Sequence, residues 1–113
     1  MAPSPLDDEH APLYTVGQVA EMLAVKQAFL RRVDELRVVS PQRSAGGQRR
    51  YSRHDIIRIQ QVVVLMDEGM TLPAVRRIIE LEHHLAEVTG RLAEVTRERD
   101  ELARRLAELL HDH

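Results

Sequence analysis

Arg43, Arg49 and Arg50 flank Gly46-Gly47, the one glycine pair in the chain, within the stretch RSAGGQRRYS. Guanidinium groups pair with phosphate oxygens through parallel N–H donors, and a phenol such as Tyr51 can donate one more hydrogen bond. Upstream stand Lys26, Gln27, Arg31 and Arg32. In a major groove lysine reads guanine and glutamine reads adenine, while neighbouring arginines neutralise the backbone. The chemistry indicated is recognition of a polyanion.

Charge distribution points the same way. The 113 residues carry a net charge of -2, yet residues 13–53 hold eight basic and three acidic side chains. Residues 1–12 contribute three acids, Asp7, Asp8 and Glu9, and no lysine or arginine. A basic block inside an acidic chain points to a polyanion partner more than the overall charge does. Other chemistries lack their residues. The absence of cysteine excludes disulfides, thiolate metal sites and thiol nucleophiles. Of the six histidines, His83 and His84 are adjacent and point about 100° apart on a helix, while His111 and His113 end the chain. No compact set at i, i+4 spacing emerges, so no metal or other cofactor is expected. Ser40, Ser44 and Ser52 have no evident His/Asp arrangement, and the glycine pair belongs to a turn, so catalysis is not expected. No apolar run approaches the roughly 20 residues of a membrane span, and the N-terminus lacks the pattern of a signal peptide. The expectation is a cytoplasmic, nucleoid-associated protein with no membrane partner.

The elements that position these residues are short. Residues 1–12, with three prolines and three acids, read as a disordered acidic tail. Thr15 and Gln18 form a capping box, and Val16, Val19, Ala20 and Leu23 share one face of the helix that follows. A three-residue connection leads to a second helix, QAFLRRVDEL, with Phe29, Leu30, Val33 and Leu36 inward. Two helices so joined have the dimensions of a helix-turn-helix. Val38 and Val39 then suit a short strand with Pro41 at its edge, Gly46-Gly47 the positive φ angles of a hairpin, and residues 48–51 the return strand. Ser52 and Asp55 start another helix, in which Ile56, Ile59, Val63 and Met66 share a face and which Gly69 ends. Thr71 caps the next.

From there a heptad sets in. Ile78, Leu85, Leu92, Arg99 and Leu106 occupy position a, and Leu81, Val88, Val95, Leu102 and Leu109 occupy position d. One helix cannot bury such a stripe by itself, and a second copy of the chain is the simplest partner. Arg99, the one polar core position, reads as a snorkelling side chain paired with an acid across the interface, or as a device that fixes register.

The succession YTVGQVAEML, FLRRVDELRVVSP, the GG-x-RRYS wing, DEGMTLPAVRRIIELE and a leucine heptad resembles the MerR family of bacterial transcription regulators. Within it, the chain looks most like the heat-shock repressor branch. The resemblance covers residues 13 to about 110. It implies a mainly α fold: a winged helix-turn-helix over 13–80 with a small β-hairpin wing, and a dimerisation helix over 81–113 in an antiparallel coiled coil. It further implies a homodimer on an inverted-repeat operator in double-stranded DNA. By residue match, Arg31 takes the place of a phosphate-contacting arginine, and Arg49, Arg50 and Tyr51 take the places of wing contacts. Thr15, Lys26, Gln27, Arg32 and Arg43 complete the candidate DNA-binding set. RNA polymerase or a regulatory protein such as a chaperone is the further partner implied. The chain departs from the family pattern at Lys26, usually Ser or Thr, at Val33, often Tyr, and at Arg37, usually Gly. Arginine at the last position must either adopt a left-handed conformation at a cost or end the second helix differently. Two other readings of the sequence are a coiled-coil adaptor whose basic module binds a protein or an anionic surface, and a phage-type DNA architectural factor with the same winged fold.

Overall fold

The structure, a computed structural model, describes residues 7–112. The chain divides into two compact units, residues 1–78 and residues 79–113.

The first unit contains β1 (Tyr14–Thr15), α1 (Val16–Leu23), α2 (Gln27–Glu35), β2 (Gln42–Arg43), β3 (Arg49–Tyr51), α3 (Arg53–Asp67) and the start of α4 (Leu72–His111). The three strands form an antiparallel sheet in the order β1-β3-β2. β3 packs on α1 and α3, and α1 packs on α2. Val19, Leu30, Val33, Ile59, Val62 and Val75 are essentially inaccessible and form the centre of the core.

Local chemistry explains where the helices begin. Thr15 closes β1 and caps α1: its Oγ1 accepts from the Gln18 N–H at 3.2 Å, and its own N–H donates to Gln18 Oε1 at 2.8 Å. Ser52 and Asp55 repeat this reciprocal pair at the start of α3, with both bonds at 3.0 Å. Each such cap satisfies two backbone donors that the first turn leaves free. At the start of α4 the Ala74 N–H donates to Thr71 Oγ1 at 3.3 Å. Lys26, the N-cap of α2, makes no side-chain capping bond, as its departure from Ser or Thr implies.

Helix ends are settled by positive φ. Gly69, at +100°, follows α3, and the Met70 N–H donates to Leu65 O. Arg37 takes the left-handed conformation at φ 56° without being glycine, and the Val38 N–H donates to Val33 O at 2.9 Å. The second helix therefore ends as a glycine would end it, at a cost of about 1–2 kcal/mol. Ala24 does the same after α1, at φ 53°.

Four expectations are corrected. Val38 and Val39 form no strand: they lie in a bend with 4% and 3% exposure, and the wing pairing begins at Gln42. Their β-branched side chains serve the core rather than a ladder. Of the glycine pair, only Gly47 has positive φ, at +81°. The Gly47 N–H donates to Ser44 O, and the Ser44 N–H to Gln48 O, which is the pattern of a three-residue hairpin loop needing one left-handed residue. On α3 it is Val62 rather than Val63 that is fully buried. Finally, residues 7–12 do not form a free tail. The Ala11 N–H donates to Asp8 O, the His54 N–H donates to Glu9 O at 3.0 Å, and Ala11 is buried. Residues 1–6 of the expected tail lie outside the described residues.

In the second unit, α4 carries the heptad. Leu81, Leu85, Leu92, Val95, Leu102, Leu106 and Leu109 are each at least half exposed, and Val88 nearly so. Arg99 is exposed and pairs within the chain with Asp100 at 3.0 Å. Among the described residues no helix is long and apolar enough to cross a membrane.

Candidate nucleic-acid interface

Five of the candidate residues converge. Thr15, Arg31, Arg43, Arg49 and Arg50 line one open cleft of about 360 Å³, together with Val16, Gly47 and Gln48. α1 supplies its N-terminus, α2 supplies Arg31, and the hairpin supplies the other three arginines. The register explains how. Arg50 lies opposite both Thr15 on β1 and Gln42 on β2, while Arg49 lies opposite Arg43. A cleft with four guanidinium groups beside the positive end of a helix is suited to an anion with several oxygens.

The arginines are not equivalent. Asp34, near the end of α2, accepts from Arg49 Nε at 2.8 Å and from Arg43 Nη2 at 3.1 Å. Its side chain is 14% exposed, that of Arg49 19% and that of Arg43 50%. Arg43 also donates to Gly47 O at 3.2 Å. One carboxylate thus ties both strands of the wing to the second helix and offsets part of the wing's charge. The sequence reading missed Asp34, which stands nine and fifteen residues from its partners. The Arg50 guanidinium donates to the adjacent Arg49 O at 3.3 Å and meets no carboxylate among the described residues, and Arg31 is exposed.

Tyr51 departs most from expectation. It is 1% exposed, and its hydroxyl is buried with no hydrogen-bond partner among the described residues. Burial raises its pKa above the usual value near 10, and the nearby Arg49 charge opposes that rise. A side chain so enclosed is part of the core and cannot donate to a phosphate at the surface.

The remaining candidates sit apart from the cleft. Lys26 and Arg32 border a mainly apolar depression of about 430 Å³ lined by Val25, Ala28, Phe29, Val63 and Met66. That depression is mainly apolar with two cations at its border, whereas four arginines line the basic cleft. Gln27 folds back towards α1, with its Nε2 3.5 Å from where a Cβ on Gly17 would stand.

Two helices, a short turn and a three-stranded wing with this basic cleft define a winged helix-turn-helix domain. Residues 14–82 match the family described as MerR HTH family regulatory protein, more than half of the chain, and the chain belongs to that family. Among its relatives, HspR of Streptomyces coelicolor is 43% identical over 84 residues, covering 74% of this chain and 56% of that protein. The transcriptional regulator GlnR of Bacillus cereus is 25% identical over 81 residues, 72% of this chain and 63% of its own. The chain therefore matches less than two thirds of the length of these relatives. Two solved structures share the fold at 24% identity. The N-terminal part of MtaN, a Bacillus subtilis multidrug transporter activator, has a TM-score of 0.57, covering 86% of this chain and 97% of its own. HiNmlR, a MerR family regulator lacking the sensor domain and bound to promoter DNA, has a TM-score of 0.56, covering 83% and 87%.

Proposed function

We propose that this protein is a transcriptional regulator that binds double-stranded DNA as a homodimer on an inverted-repeat operator. The observation that carries the reading is the convergence of Arg31, Arg43, Arg49 and Arg50 with the N-terminus of α1 on one cleft. In this reading Lys26, Arg31 and Arg50 grip phosphates, Arg43 and Arg49 shape the wing through Asp34, and Gln27, with Arg32 on the same helix, reads a base edge once its side chain turns away from Gly17. Phosphate contacts position a protein, and base contacts specify the sequence. The likeness to the transcriptional regulator GlnR supports a regulatory role, and HiNmlR, which shares the fold, is bound to promoter DNA.

Homodimerisation rests on the exposed heptad. Burying a leucine stabilises by about 1.5–3 kcal/mol, so eight half-exposed or nearly half-exposed apolar side chains strongly favour a partner helix. A second copy presents a matching stripe, and inverted-repeat DNA matches the two-fold symmetry of such a dimer. The reading places the protein in the cytoplasm on the nucleoid. It also carries the expectation of a protein partner, a chaperone or RNA polymerase, which affinity capture of the DNA-bound dimer tests.

The main test is selection from a random duplex library, followed by competition between the selected duplex and a scrambled one. Arg50→Ala should weaken both by similar factors, whereas Gln27→Ala should cost about 1–3 kcal/mol on the selected duplex alone. A folded Arg50→Ala variant with wild-type affinity for both duplexes would remove the wing from the interface.

A further inference from the structure

We propose that Glu9, His10 and His54 form a transition-metal site of the zinc class that clips the segment ahead of β1 to the first turn of α3. Each of the three residues offers one ligand atom, and these atoms lie within 4.8 Å of one another. His10 Nε2 is 3.4 Å from Glu9 Oε1. Roughly that separation, about 3.3–3.4 Å, divides two ligands on a tetrahedral zinc with bonds near 2.05 Å. The imidazole rings of His10 and His54 have centroids 4.7 Å apart and are tilted by 46°, so their nitrogens can converge on one point instead of stacking flat.

The backbone holds the ligands in place. The His54 N–H donates to Glu9 O at 3.0 Å, which fixes the two ends of the site against each other. On the N-terminal side the His10 N–H donates to Asp8 Oδ1 at 2.9 Å and the Ala11 N–H to Asp8 O at 3.1 Å, closing a tight turn. On the other side His54 stands in the first turn of α3, whose cap is locked by Ser52 and Asp55. Glu9 and His10 are exposed and His54 is half-buried, so ion entry and adjustment of a few tenths of an ångström to about 1 Å require no opening of the core.

The donor set decides the ion. Two imidazoles and one carboxylate suit zinc, nickel or copper, whereas magnesium and calcium take oxygen ligands. Three protein ligands leave at least one coordination position for water or for a group from another molecule. The pairing was hidden in the sequence because the histidines are 44 positions apart, and spacing rules search only neighbours on one helix. Occupancy would tie the approach to β1 to the element that follows β3, at the end of the sheet opposite the hairpin turn. The site stands independently of the DNA-binding reading.

Zinc titration of the untagged full chain by calorimetry at neutral pH tests this. One ion should bind per chain. Loss of an outer-shell partner already costs about 10–100-fold in metal affinity, so His10→Gln or His54→Gln should cost more than about 100-fold. His10 is exposed, so its variant keeps the test valid if the other unfolds. A variant carrying His83→Gln, His84→Gln, His111→Gln and His113→Gln should bind as the wild type does. Zinc binding that follows the four distal histidines overturns the proposal, as does wild-type affinity in folded His10→Gln or the absence of any one-per-chain isotherm.

Discussion

Replacing Asp34 by asparagine tests whether the protein itself holds the wing arginines in reserve. If Lys26, Arg31, Arg43, Arg49 and Arg50 all met phosphates in both protomers, about ten would be neutralised, and log K against log salt would fall with a slope of about -9. With Arg43 and Arg49 committed to Asp34, three cations per protomer remain and the slope becomes about -5. Asp34→Asn removes the carboxylate charge. It should steepen the slope towards -9 and raise affinity for scrambled duplex, because two guanidinium groups become available. A stability cost comes with it. The Arg49 bond, between groups that are 19% and 14% exposed, is a charge-assisted hydrogen bond of about 1.5–3 kcal/mol. The half-exposed Arg43 bond adds at most about 1 kcal/mol. Asparagine keeps an acceptor, so a loss of about 2 kcal/mol is expected, or a Tm lower by roughly 8–16 °C for a unit of this size. Fluorescence anisotropy over a salt series, with thermal unfolding of the same samples, measures both effects. An unchanged slope in a folded variant refutes the reserve, and so does a wild-type slope already near -9.

Three further outcomes are expected. Arg37→Gly should stabilise the protein by about 1 kcal/mol in urea unfolding, since glycine takes φ 56° without strain; destabilisation would mean that the arginine side chain contributes more than its backbone costs. Tyr51→Phe should leave DNA affinity unchanged and be neutral or stabilising by about 1 kcal/mol, because it removes a buried hydroxyl that has no partner among the described residues. The folded pKa of Tyr51 is raised by burial, so its contribution is fully present below the unfolded value near 10 and is lost above it, as pH climbs through the raised folded value; the alkaline decline in wild-type Tm should be shallower in the phenylalanine variant. Leu92→Lys with Leu102→Lys should give monomers in sedimentation with weakened operator binding, and a stable dimer would contradict the heptad assignment.

Much of this architecture could be read from local signals. Thr15 with Gln18 and Ser52 with Asp55 announced two helix starts, because a capping box is complete within four residues. The glycine pair Gly46-Gly47 announced the hairpin wing, which the family resemblance also implies. What escaped were features made by distance along the chain. β1 is two residues long, too short for any alternation to show, and exists because β3 lies beside it. Val38 and Val39 have strand propensity, but burial in a bend outweighed it. Tyr51 looked like a surface donor beside two arginines, yet it ends β3 where the strand meets the core. In the sequence Asp34 is one acid in a helix, and nothing in QAFLRRVDEL shows that the wing folds back onto it.

Thr15 does two jobs at once, as the last residue of a strand and the cap of a helix, and this has a mechanical meaning. Between the sheet and α1 there is no linker to absorb movement. A tug on the hairpin passes from Arg50 across the ladder to Thr15 and arrives at the first turn of α1 within one residue. Wing and helix therefore behave as a single lever. If a duplex rocks the hairpin as it seats, α1 must turn with it, and the slack for that motion has to come from the far end of the helix, where Ala24 already sits at φ 53°.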